Sequence, residues 1–232
     1  MSNPLIIAYT ESDLIGKMIF LSLLFLSMIS WTILIQKTLA FRLIKSKGHN
    51  LIGQFNAIKN QPLSLDLKTE SHPFSEIYQH LKEQTLLLLR KNQAGFQKDK
   101  PVILSTSDID LIHSSLSNTI GYHTKSLESY LYILSTVVTL GPFLGLLGTV
   151  WGILTTFAAM STRDSGQTSE AILSGLAMAL GTTILGLLVA IPALIAYNYL
   201  KNSSRELQMD MQDFASKALG TVEVHYRKVE IT

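Results

Sequence analysis

No cysteine occurs in the chain, which removes disulfides, thiol nucleophiles, Cys-ligated zinc and iron–sulfur clusters together. Charge is scarce as well: Asp, Glu, Lys and Arg make up 16% of the 232 residues, against about a quarter in soluble domains. With a formal net charge of +2, the balance gives no case for a nucleic-acid partner, which a basic stripe would announce. The six histidines, His49, His72, His80, His113, His123 and His225, never pair at i,i+4. That is the spacing a helical metal site needs, so they read as solvated side chains and no metal or cofactor is expected. A phosphate loop, an HExxH pair and an activated-nucleophile motif are all missing from the sequence, which argues against an enzyme.

What the chain has instead is long apolar runs. Met18 to Gln36, Ser129 to Thr162 and Ala171 to Leu200 carry no charge, and each is long enough to cross a hydrocarbon core of about 30 Å at about 20 residues per helix. Lys37, Arg42, Lys45 and Lys47 follow the first run with no acid before Asp66, so the positive-inside rule places them in the cytoplasm. The expected order is an N-terminus on the outer side (1–13), a first span (14–36), a cytoplasmic helical domain (37–128), a second span (129–158), an outer loop (159–170), a third span (171–200) and a cytoplasmic C-terminal helix (201–232), the outer side being the periplasm if the membrane is a bacterial inner one. The fold class is all-α, a multi-pass membrane protein with two spans extended into a cytoplasmic stalk and lipid as its surroundings.

Periodicity supports the stalk. In 71–92, Phe74, Ile77, Tyr78, Leu81, Leu88 and Leu89 fall largely on one side behind Pro73, and a break follows at "NQAGFQKDKP". Ser107, with Asp108 and Asp110 behind it, resembles a helix N-cap. From there Ile109, Ile112, Leu116, Ile120, His123 and Leu127 step by threes and fours into the second run, so 108–159 reads as one helix. Leu207, Met211, Phe214, Ala218 and Val222 keep helical spacing beyond the third run.

The second span, "GPFLGLLGTVWGILTTF", puts Gly141, Gly145, Gly148 and Gly152 on one stripe, continued by Thr155 or Thr156 and Ala159. The third answers with Gly175, Ala179, Thr183, Gly186, Ala190 and Ala193. Small residues matter here because lipid supplies little drive for helix association, and close backbone approach gains dispersion contacts. The two stripes imply packing against each other or around something narrow. Thr149 lies beside the first stripe and Thr183 on the second, suggesting a narrow polar lining. Pro142 and Pro192 each remove an intrahelical bond and are candidate kinks.

These two segments, with "SWTILIQK" leaving the first span, resemble the TolQ/ExbB/MotA family of proton-channel subunits. "GLLGTVWGI" is specific for the TolQ and ExbB branch, and "AIPALIAYN" looks closer to TolQ. The resemblance implies a homopentamer around the helices of a TolR- or ExbD-like single-span partner carrying an intramembrane aspartate, with a TolA- or TonB-like protein beyond it. It implies a TolQ-like role, converting proton motive force into work on the cell envelope, or an ExbB-like role in TonB-dependent uptake. Thr149 and Thr183 match the family's channel-lining threonines. Met178 stands on the lining where relatives usually place a glutamate, in "AMAL", which leaves a non-conducting ring scaffold as a further alternative.

Overall fold

The computed structural model describes residues 4–10, 12–57, 62–65, 72–95, 103–161 and 168–226. Six helices hold most of them: α1 (Pro4–Thr10), α2 (Leu14–Ala57), α3 (Pro73–Gly95), α4 (Thr106–Glu128), α5 (Leu131–Ser161) and α6 (Thr168–Tyr226). The chain divides into two compact units, Met1–Lys37 with Tyr130–Lys201, and Thr38–Ser129 with Asn202–Thr232. Three stretches, in α2, in the α4–α5 region and in α6, are long and apolar enough to cross a membrane.

In the first unit the N-terminal part of α2 packs with α5 and α6 around Ile19, Leu23, Val137, Val189 and Ala193. Leu14, Met18, Leu21, Phe25, Phe143, Leu147, Val150, Leu180 and Ile184 stay exposed, an apolar outside suited to hydrocarbon rather than water. The most apolar stretch of α6 is 44% buried and that of α2 22%, so α6 is the inner helix. The short α1, unannounced by periodicity, closes against α2 with Tyr9 edge-on to Phe20 at 5.9 Å.

The second unit is a helical bundle with an aromatic centre. Phe55 stacks edge-on against Phe214 at 5.7 Å and against Tyr78 at 6.0 Å, and Phe74 meets Phe214 at 5.9 Å. A Cβ on Gly48 would lie 2.5 Å from the Phe74 ring, so only glycine lets α2 pass at this point. The buried side of α4 is Ile109, Ile112, Leu116, Ile120, His123 and Leu127, the stripe that periodicity predicts. Leu207, Met211, Phe214, Ala218 and Val222 are all buried on α6. Tyr78 donates its hydroxyl to the Pro62 carbonyl at 2.9 Å and accepts from the Leu65 N–H at 3.2 Å. Burial pushes its pKa up, against a smaller opposing pull from that N–H.

Four expectations are corrected. Residues 108–159 do not form one helix: the chain breaks at Ser129–Tyr130, where Tyr130 takes φ 70° and the Ser129 N–H and hydroxyl both return to the Ser126 carbonyl. The N-cap of α4 is Ser105, not Ser107, in a capping box with Asp108. Both serines have an acid three residues on, and the earlier frame is favoured because Asn92 donates to both the Ile103 carbonyl and the Asp108 carboxylate at 3.0 Å. Burial tends to raise the Asp108 pKa, but hydrogen bonds from the Ser105 backbone, the Asn92 amide and the Ser105 side chain, with the Lys91 charge, hold it below the ordinary carboxylate value. His72 and His123 are buried rather than solvated. His72 exchanges hydrogen bonds with Ser75 at the start of α3, and His123, on the α4 stripe, lies 3.2 Å from the Glu76 carboxylate. The expected break at 92–101 begins later, since α3 runs to Gly95, and 96–102 lie outside the described residues.

The candidate functional site: the α5–α6 pair

Glycine costs a helix roughly 1 kcal/mol relative to alanine, so four on one stripe require a reason, and α6 supplies it. A Cβ on Gly145 would lie 3.0 Å from the Thr183 Cα, and one on Gly141 3.0 Å from the Gly186 carbonyl oxygen and 3.2 Å from the Ala190 Cβ. At Gly152 it would lie 2.5 Å from the Gly175 carbonyl oxygen and 2.9 Å from the Ala179 Cβ. Gly148 faces the Thr182 side chain, and Gly175 faces Thr156. The two helices therefore run antiparallel with backbone against backbone, a distance no larger residue permits.

Threonines line this seam unequally. Thr183 donates its hydroxyl across it to the Gly145 carbonyl at 3.2 Å and also lies 3.4 Å from the Ala179 carbonyl of its own helix. Thr149, half-buried one turn along α5 from Gly145, donates to Leu146 at 2.7 Å. Thr155 and Thr156 both donate to the Gly152 carbonyl, at 2.9 and 2.8 Å. Thr182, which sequence reasoning passed over for its neighbour, is the fully buried one and fills the space above Gly148. The doublet "TT" carries the signal but not the choice between faces. The Ala159 side chain lies outside the described residues.

Met178 sits elsewhere on α6. It is 2% exposed and clusters with Ala8 and Phe20, with Tyr9, Trp151 and Leu185 against them, and a Cβ on Gly16 would lie 2.5 Å from its sulfur. Thr183 thus meets Gly145 in the α5–α6 seam and Thr149 bonds within α5 one turn further on, while within one chain Met178 faces α1 and α2. Pro142 and Pro192 lie inside α5 and α6, which continue through them. A contact invisible to local pattern joins this cluster: the Trp151 indole donates to the Asp13 carboxylate at 2.7 Å, across 138 residues of chain.

Three stretches long and apolar enough to cross a membrane, a glycine-sealed helix pair and a separate helical bundle define a multi-pass helical membrane protein. The MotA/TolQ/ExbB proton channel family matches residues 84–213, more than half of the chain, and the chain belongs to that family. It is 27% identical over 218 residues to the Tol-Pal system protein TolQ of Haemophilus influenzae, covering 89% of this chain and 88% of that one. It is 48% identical over 88 residues to the biopolymer transport protein ExbB of Aquifex aeolicus, covering 38% of this chain and 59% of that protein. To the ExbB of Pseudomonas putida it is 27% identical over 220 residues, 91% of this chain and 61% of the relative. The matched part is thus less than two thirds of the length of both ExbB proteins. The chain is an energising subunit of TolQ/ExbB type.

Proposed function

We propose that the chain forms the wall of a proton-motive-force transducer, assembling as a ring of copies, a pentamer by family resemblance, around a TolR- or ExbD-like single-span partner. The carrying observation is the α5–α6 seam: backbone-close, with the Thr183 hydroxyl reaching the Gly145 carbonyl and no carboxylate, histidine, lysine or arginine in either charge-free run. An intramembrane charge costs about 2.5–3.5 kcal/mol even on insertion scales, so a crossing proton needs a titratable group, which the partner's aspartate supplies. Thr149 and Thr183 line the path, with Met178 behind them against the first span. Each proton falling through 100 mV releases about 2.3 kcal/mol, enough to bias movement of the partner helix or of the ring. The N-terminus is periplasmic and the C-terminus cytoplasmic, in the inner membrane.

The role is TolQ-like, work on the cell envelope, because the TolQ relative matches along nearly its full length. An ExbB-like role in uptake shares every feature of the seam and is separated by whether the neighbouring genes encode TolB and Pal or TonB. Met178 favours one further reading, a ring that holds its partner without conducting. The test is proton flux in liposomes: the chain with its single-span neighbour conducts, the chain alone does not, and Thr183→Val lowers the flux. Absent flux from the assembled pair would leave the scaffold and remove the transducer.

A further inference from the structure

The Asp13–Trp151 contact is not explained by lining or sealing. Asp13 ends a tight corner in which Ser12 donates its hydroxyl to the Ala8 carbonyl and its N–H to the Tyr9 carbonyl. One carboxylate oxygen accepts the Gly16 N–H at 2.8 Å, capping α2 in the N-cap manner and placing negative charge at the positive end of the helix. The other accepts the Trp151 indole at 2.7 Å. Among the first-unit side chains the structure describes, this is the one carboxylate.

The contacts around it close a circuit through three helices. Trp151 adjoins Gly152, whose backbone meets Gly175; Met178, one turn along α6, meets Gly16, and Gly16 binds Asp13. The Gly16–Asp13 hydrogen bond lies within the start of the first span, and the Gly152–Gly175 and Gly16–Met178 sides, which join different helices, are van der Waals contacts that leave sliding cheap. Of the sides that join one helix to another, the indole–carboxylate bond is the one with fixed direction and charge assistance.

We propose that Asp13 is a positioning residue: acting through Trp151, it clamps the start of the first span to α5 and so sets the register of that span on the glycine-sealed α5–α6 pair.

The test uses the full chain in lipid nanodiscs. Trp31→Phe leaves Trp151 as the single tryptophan, since the chain has two. Asp13→Ala then shifts the Trp151 emission maximum and the indole N–H resonance, and Asp13→Asn, whose amide oxygen still accepts, restores both toward the parent. In a separate cycle with Trp31 retained, Asp13→Ala and Trp151→Phe each move the unfolding equilibrium about ten-fold, the scale of a hydrogen bond to a charged group. The double variant moves it no further than the worse single one. Additive effects, an indole signal indifferent to Asp13→Ala, or Asp13→Asn as damaging as Asp13→Ala would each overturn the clamp. None of these readouts needs proton flux, so the clamp and the transducer reading fail separately.

Discussion

At the scale of single residues, the same substitution has opposite signs at different glycines. A Cβ on Gly152 meets the Gly175 carbonyl and the Ala179 Cβ, and neither can move without parting two helices, so Gly152→Ala lowers stability by about 1–3 kcal/mol, the range for overpacking. Gly121, on the exposed side of α4, has nothing within 4 Å of its would-be Cβ, so Gly121→Ala raises it by about 0.5–1 kcal/mol through helix propensity. Thermal unfolding in one detergent reads both, and equal signs would contradict the seam. Asp108 gives a pH-dependent counterpart. Its pKa in the folded chain lies below the ordinary value, so its stabilisation is complete above the usual carboxylate range and is lost as pH falls through the folded-state pKa. Amide exchange at the start of α4 should accelerate in acid over that interval, and Asp108→Asn should flatten the dependence; an unchanged profile would deny the capping box its role.

At the scale of elements, the helix break at Ser129–Tyr130 shows where sequence reading stops. The buried sides of α3, α4 and the C-terminal part of α6 were legible because burial imposes a 3.6-residue period and Ile109 through Leu127 obey it. The break carries no such mark: neither residue is Gly or Pro, and tyrosine at φ 70° occupies a region that L-residues enter at a cost of about 1–2 kcal/mol. Part of that cost is offset by the Lys37 ammonium 5.5 Å from the Tyr130 ring centroid, a contact between residues far apart in the chain. The Ser105 cap was ambiguous for another reason, two overlapping Ser-x-x-Asp frames that only Asn92 decides. Asp13 and Trp151 lay beyond any local window, and Thr182 could not be told from Thr183 without knowing which face α5 covers. Two variants isolate the backbone at residue 130. Tyr130→Asn and Tyr130→Ile both delete the ring, but asparagine tolerates positive φ and a β-branched residue does not. The isoleucine variant should unfold more readily by about 1 kcal/mol, and equal stabilities would mean that the corner is not left-handed.

At the scale of the whole molecule, the absence of cysteine turns the proposed lining into something directly measurable, because every introduced thiol is the only one present. A thiolate reacts with a water-soluble maleimide only where water reaches it. Leu180 is 66% exposed in the single chain, and if that surface meets hydrocarbon, Leu180→Cys stays unlabelled despite its exposure. Thr149, half-buried one turn along α5 from Gly145, faces the path in the ring reading, so Thr149→Cys labels in the assembled ring and is protected when the single-span partner fills it. Met178→Cys, seated under α1 and α2, stays unlabelled in both states. The three positions separate the possibilities because exposure in one protomer, exposure to lipid and exposure to a water path predict different patterns. Labelling at Leu180 with none at Thr149 would turn the seam inside out, placing water against the leucine face and lipid against the threonines, and no ring of these subunits could then enclose a conducting partner.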